Sequence, residues 1–501
     1  MSLKRNILAS YVSRLYVTLI AIVMVPVYVR YMGTEAFGLV GFFAVLQVWF
    51  QLLDMGLTPS MAREVARFRG GATDALSLRR LLRALEGIFV AVSMLGAAAM
   101  IVGAGAIASS WLKVQQLPLE EVKHAIMLMA LIVVLRWVCG LYSGAISGFE
   151  RLVWLGGFNM VIATARFVLV IPFFIYVGAS PSTFFSYQFA IALIEITVLV
   201  AQTYRLLPKV HEGQRSPWHW QPLRGVLKFS LSIAFTGAVG ILVTQTDKLV
   251  LSTLLPLKDY AYFTLAVLVA SGVVVITSPI SVALLPRLSR LNAASDDAGV
   301  IRLYRNATQL VSMIAIPTAL VLAFFAEQVL WAWIGDADFA LKAAPVLRLY
   351  ALGNGFFALA AFPYYLQFAK GDLKLHVIGN LLFAAIFIPL LLWAVREYGM
   401  IGAGYAWIVA NVLPFVFWLP IVHRRFSKGL HTRWLLHDVM PILVFPTAAT
   451  FLVHEYAAWP TTQLMVAIGV VVVWMALCAV AVSCSSWARE TLGSRWLVRL
   501  L

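Results

Sequence analysis

Charge is scarce in this chain, and acid is scarcer than base. Of its 501 residues only 12% are charged, with 22 acids against 38 bases. A water-soluble domain carries about 25% charged residues, so the composition excludes one. Cysteine is rare too. Cys139, Cys478 and Cys484 all lie in apolar stretches, which speaks against a disulfide framework or a zinc site and reads as small buried hydrophobes. No phosphate-binding GxxxxGK[ST] run, no GxSxG elbow and no metal-spaced histidine set occurs. The chain therefore reads as no enzyme, with no catalytic residues, no metal and no cofactor.

What is present is apolar length. The chain is 62% hydrophobic, with a mean hydropathy of +0.90. Runs of about 20 residues recur throughout, each able to cross a bilayer as a helix. They lack strict alternation, which selects helices over a barrel. The reading is all-α and polytopic, with about fourteen spans: 7–29, 38–58, 84–107, 125–147, 153–178, 184–204, 228–255, 260–285, 306–325, 344–366, 374–395, 402–422, 439–456 and 463–484. An even number leaves both ends on one side. Most of the 38 Lys and Arg fall on that side, so both termini are expected in the cytoplasm. The basic surplus is thus a topology signal, and nucleic acid is not needed to explain it. Arg79, Arg80 and Arg83, and the run His423, Arg424 and Arg425, are placed to meet anionic membrane lipids.

Four regions follow. Residues 1–204 hold six spans, 205–227 form a basic linker with Trp218 and Trp220, 228–422 hold six more, and 423–501 add two helices and a tail. The two six-span halves show a weak parallel repeat. Under one constant shift Glu35 meets Asp259, Gln47 meets Ser271, Asp54 meets Ser278 and Arg63 meets Arg287. Repeats of this kind place a substrate site at their interface.

Charges inside apolar spans are costly and usually functional. Arg14, Asp54, Arg136, Arg166, Glu195, Asp247, Lys248 and Arg348 are such charges. Helical spacing gathers Ser10, Ser13, Arg14 and Thr18 into one stripe. It does the same for Gln47, Gln51, Asp54 and Thr58, and for Thr236, Gly240, Thr244, Asp247 and Lys248. These stripes line a hydrophilic interior or serve as hydrogen-bonding glue between helices. Glu195 is a partner for Arg136 or Arg166. Arg348 either faces substrate or snorkels to the interface, and Arg63 and Arg287 sit at the cytoplasmic mouth. Five of the eight interior charges are positive, which suits an anion that Arg can hold bidentately. The expected substrate contacts are Arg14, Arg63, Arg136, Arg166, Lys248, Arg287 and Arg348. The expected ion-coupling carboxylates are Asp54, Asp247 and Glu195.

The segments NILASYVSRLYVTLIAIVMVPVYVRYMGTEAFGLVGF, LLDMGLTPSMAREVAR and TQTDKLVLSTLLPLKDYAYFTLA resemble the polysaccharide transporters of the multidrug/oligosaccharidyl-lipid/polysaccharide exporter superfamily, O-antigen flippases of the Wzx type above all. The resemblance covers about residues 5–425. It implies two six-helix lobes in a V around a cationic cavity. It also implies movement of an undecaprenyl-diphosphate-linked oligosaccharide from the cytoplasmic to the periplasmic leaflet of the inner membrane by alternating access. The implied partners are the lipid-linked oligosaccharide, a coupling ion (H⁺ or Na⁺), a polysaccharide polymerase and a chain-length regulator. Fourteen spans rather than twelve leave a lipid II flippase as an alternative. An exporter of small cationic drugs and a non-transporting scaffold are others. A glycan ligase or polymerase would need large external loops, which the chain lacks.

Overall fold

The computed structural model describes residues 3–208 and 221–491. Trp218 and Trp220 of the linker fall outside these residues, as do the side chains of Thr236, Gly237, Ser278 and Pro279. Among the described residues the chain is helical and contains no strand. Two compact units divide it, Met1–Ala261 and Tyr262–Leu501. By packing, the helix of the seventh expected span falls in the first unit, whereas the sequence-based lobes part at residues 205–227.

The first unit runs through α1 (Leu3–Met32), α2 (Thr34–Phe50), α3 (Leu57–Arg69), α4 (Ala75–Ala106), α5 (Leu119–Gly148), α6 (Leu152–Phe167), α7 (Val170–Tyr176), α8 (Pro181–Leu206) and α9 (Gln221–Leu254). Its centre is α5, which packs on α8, α4 and α3. Small residues set that approach, as they do wherever lipid cannot drive helices together. A Cβ on Gly144 would meet the Thr58 carbonyl at 2.7 Å, and one on Gly148 would meet the Ala62 carbonyl at 2.5 Å. The α1–α6 contact is similar, with Ser13 Oγ donating to the Gly156 carbonyl at 3.0 Å.

The second unit contains α10 (Leu257–Ala270), which begins just before the division, then α11 (Gly272–Ala293), α12 (Asp297–Phe324), α13 (Ala326–Ile334), α14 (Ala337–Ala360), α15 (Phe362–Lys370) and α16 (Lys374–Leu413). It ends with α17 (Leu419–Phe426), α18 (Leu430–Arg433), α19 (Met440–Tyr456) and α20 (Gln463–Cys484). Its core helix is α12, 83% of whose apolar window is buried, against 17% for α20. The last two helices, α19 and α20, pack on each other and on α12, and α20 packs on α13 as well.

Twelve helical stretches among the described residues are long and apolar enough to cross a membrane. The difference from fourteen lies in two places. The stretch Lys374–Phe426 is continuous in this count and covers the eleventh and twelfth expected spans. It is bent at Gly399, whose φ of 58° and ψ of −139° suit only glycine. The seventh expected span corresponds to α9, which is outside the count.

Candidate functional site

The second polar stripe ends in a helix break. After α2 the chain tightens into a 3₁₀ turn, Gln51–Asp54, then passes through Met55 (φ 45°) and Gly56 (φ 71°) into α3. Left-handed backbone costs a residue such as Met roughly 1–2 kcal/mol, so something must hold the break. Asp54 does: its carboxylate accepts the Thr58 hydroxyl and, at 3.3 Å, the Thr58 amide N–H. Asp54 thereby takes up one of the otherwise unpaired amides at the start of α3, whose N-cap, Gly56, has no side chain to do so.

The break opens a cavity of about 440 Å³ within the first unit, lined by Gln51, Asp54, Thr58, Arg136 and Gly140, with Ala238 and Ile241 of α9. Three of the four residues in the Gln47–Thr58 stripe therefore face one chamber. Arg136, from α5, supplies its cation. The Arg136 side chain is 9% exposed. Its Nη2 donates to Gln188 Oε1 at 2.9 Å, and Gln188 Nε2 in turn donates to the Arg166 carbonyl at 2.9 Å. The guanidinium also lies over the Phe43 ring, 5.5 Å from its centroid.

Glu195 on α8 pairs with Arg136, one of the two partners the sequence allowed, but loosely: Nε and Oε2 are 3.9 Å apart. Neither of these two atoms makes a hydrogen bond, and neither does Arg136 Nη1. Arg166 is close enough to interact electrostatically with both Arg136 and Glu195. Its guanidinium stacks 5.2 Å from the Phe167 ring centroid. Two guanidinium groups and the Glu195 carboxylate thus lie together in this part of the first unit.

The other expected residues lie elsewhere. Arg14 is exposed on α1 beside exposed Tyr11 and Leu15. Its stripe neighbour Ser13 turns inward to α6, so this stripe is partly glue. Asp247 is 1% exposed and accepts the Lys248 backbone N–H at 2.8 Å. Lys248 Nζ reaches back to the Thr244 carbonyl and to Gln245 Oε1, both at 3.0 Å. Arg63 and Arg287 are exposed on α3 and α11. Arg348 is exposed and donates to Glu327 Oε1 at 2.9 Å.

Sequence reasoning missed Gln188, whose signal was there: it lies seven residues before Glu195, on the same helical face. It also missed a network in the second unit. Arg305 holds the fully buried Asp438 through Nε at 2.6 Å and Nη2 at 3.0 Å. Gln309 donates to Asp438 at 2.7 Å and accepts from Ser485 Oγ at 2.6 Å and the Trp487 amide at 3.0 Å. This knot ties the segments flanking α19 and α20 to α12.

Comparison with known proteins fits this architecture. Over 402 residues the chain is 21% identical to a Shigella flexneri protein described as a "Putative O-antigen transporter", covering 79% of this chain and 92% of that one. Among solved structures it resembles the lipid II flippase MurJ in an inward closed conformation, with a TM-score of 0.69 and 13% identity over 98% of this chain and 99% of that one. It also resembles an inward-facing multidrug resistance MATE family transporter of the MOP superfamily, with a TM-score of 0.65 and 13% identity over 82% and 96%. At these identities the two structures show the fold alone. A family model described as "Polysaccharide biosynthesis protein" matches residues 3–292, more than half of the sequence, and the chain belongs to that family.

Proposed function

We propose that this multi-pass membrane protein is a flippase. It moves undecaprenyl-diphosphate-linked oligosaccharide units, of O-antigen or a similar surface polysaccharide, from the cytoplasmic to the periplasmic leaflet. Family membership and the O-antigen transporter relative support the substrate class, and the transporter fold supports alternating access. The observation that carries the reading is Arg136: a guanidinium with two of its three nitrogens lacking a hydrogen bond, on the wall of a chamber inside an apolar protein. Leaving such donors unpaired in a buried place costs about 1–3 kcal/mol, a cost that a diphosphate removes when it binds.

In this reading the protein sits in the inner membrane with both termini cytoplasmic, and the six-span halves act as lobes around a central path. Arg136 and Arg166 hold the anionic headgroup. Arg14, Lys248, Arg63, Arg287 and Arg348 guide it at the mouths or along the path. Asp54, which lines the chamber, and Asp247 are the carboxylates for H⁺ or Na⁺ coupling. Glu195 was grouped with these two from the sequence, but its pairing suits it better to the role of counter-ion. A polymerase and a chain-length regulator act on the product.

The test is complementation of a flippase-deficient strain, read as surface polysaccharide. The wild-type gene restores it. Arg136→Gln, at equal membrane abundance, does not. Restored polysaccharide with the variant would remove Arg136 from the substrate path.

A further inference from the structure

A second cavity, of about 450 Å³, lies wholly within the second unit. The first turns of α12 line it through Ile301, Arg302, Arg305 and Asn306, and the chain just after α20 lines it through Trp487 and Glu490. Its size falls within the about 300–1,000 Å³ of small-ligand sites. The ninth expected span begins at residue 306 and the fourteenth ends at residue 484, so the cavity sits at a membrane–water boundary. That is the level of lipid headgroups, where tryptophan is enriched.

Arg305 presents donors there in a fixed orientation. A guanidinium has a side fork, Nε with Nη2, and an end fork, Nη1 with Nη2. Buried Asp438 takes the side fork at 2.6 and 3.0 Å, and Gln309 steadies that carboxylate by donating to it at 2.7 Å. Nη1 and the second hydrogen of Nη2 make no hydrogen bond to a described residue, and the side chain is 31% exposed. One end fork is enough to grip a phosphate group. Arg302 stands three residues earlier, on the same face of α12.

The charge pattern selects the ligand. Asp438 already neutralises Arg305. Arg302 and Glu490 are both exposed, and neither forms an ion pair or hydrogen bond with a described residue. The cavity wall therefore carries one unpaired cation and one unpaired anion. A purely anionic headgroup meets Glu490 as a like charge. A headgroup with a phosphate and an ammonium satisfies both, and an ammonium brings three N–H donors to the carboxylate. A trimethylated choline nitrogen brings none.

We propose that this cavity binds the headgroup of a phosphoethanolamine lipid, its phosphate on Arg302 and the end fork of Arg305 and its ammonium on Glu490. The bound headgroup bridges α12 and the chain after α20, and so braces the last helix. The inference rests on the membrane assignment and not on the flippase reading.

The experiment is native mass spectrometry of the purified full-length protein, titrated with phosphatidylethanolamine, phosphatidylglycerol or phosphatidylcholine, and separately with soluble phosphoethanolamine. Arg302→Gln should weaken binding of phosphatidylethanolamine and phosphatidylglycerol alike. Glu490→Gln should weaken phosphatidylethanolamine about threefold, the effect of losing one exposed ion pair, and leave phosphatidylglycerol unchanged or tighter. Comparing each variant with the wild type cancels lipids held elsewhere on the surface. Phosphatidylethanolamine binding unchanged in both variants, or an equal loss of both lipids with Glu490→Gln, overturns the site. Variant-sensitive binding of soluble phosphoethanolamine without any such effect on the lipids overturns the lipid assignment. None of these outcomes bears on Arg136.

Discussion

Asp54 and Thr58 form a closed cap across the break between α2 and α3: one carboxylate takes both the hydroxyl and the amide of one threonine. This contact fastens the turn that lines the chamber. Thr58→Val removes the hydroxyl bond but keeps the shape. It should cost about 1 kcal/mol of stability, read as a lower unfolding temperature in detergent. An unchanged temperature would mean that the break is held by something other than the cap.

Gly148 should tolerate nothing larger. A Cβ there would lie 2.5 Å from the Ala62 carbonyl and 2.7 Å from Val65 Cβ, and both belong to α3, which cannot step aside without moving the cap. Gly148→Val should cost about 1–3 kcal/mol through overpacking and reduce folded protein recovered from membranes. Gly103, where an added Cβ would find its nearest atom only at 3.9 Å, should accept the same change with little loss.

Asp438 should be a stability residue of the second unit. It is fully buried and accepts hydrogen bonds from Arg305 and Gln309. Asp438→Leu leaves Arg305, whose side chain is 31% exposed, with water as its remaining partner, so the cost is below that of a fully buried broken pair, about 2 kcal/mol. The expected readout is earlier proteolysis around residues 427–439. Full resistance in that region would show that apolar packing alone docks the last helices.

Glu35 should govern the loop after α4. Its buried carboxylate accepts the Gln115 and Gln116 amides at 2.6 and 2.9 Å. The same loop is fastened to the α9–α10 turn, where Lys113 Nζ donates to the Leu254 carbonyl at 2.8 Å and Trp111 Nε1 to Ser252 Oγ at 2.9 Å. Glu35→Leu should speed hydrogen exchange at the amides of residues 115 and 116 by about tenfold or more, the loss of charge-assisted bonds being worth about 1.5–3 kcal/mol. Exchange at the wild-type rate would show that the loop is held by the Lys113 and Trp111 contacts instead.

Much of this was legible in the sequence. The apolar runs marked the spans, because a bilayer leaves helices little alternative. The Gln47–Thr58 stripe brought three of its four residues to one chamber wall, although the continuous helix that its spacing assumes breaks between Gln51 and Gly56. The facing of α1 was not legible. Ser13 and Arg14 are adjacent, yet one is buried against α6 and the other exposed, and only the position of α6 decides which. Arg305 and Asp438 escaped for a related reason. They lie at the ends of expected spans, where charges are ordinary, and their bond joins residues far apart in the chain.

The central claim is that Arg136 handles the substrate's anionic group during translocation. The most direct measurement is flipping of a fluorescent undecaprenyl-diphosphate oligosaccharide in proteoliposomes, with wild type and Arg136→Gln incorporated to equal density. A rate at least tenfold lower for the variant, with its folded fraction unchanged, is the predicted result. Equal rates would contradict the account.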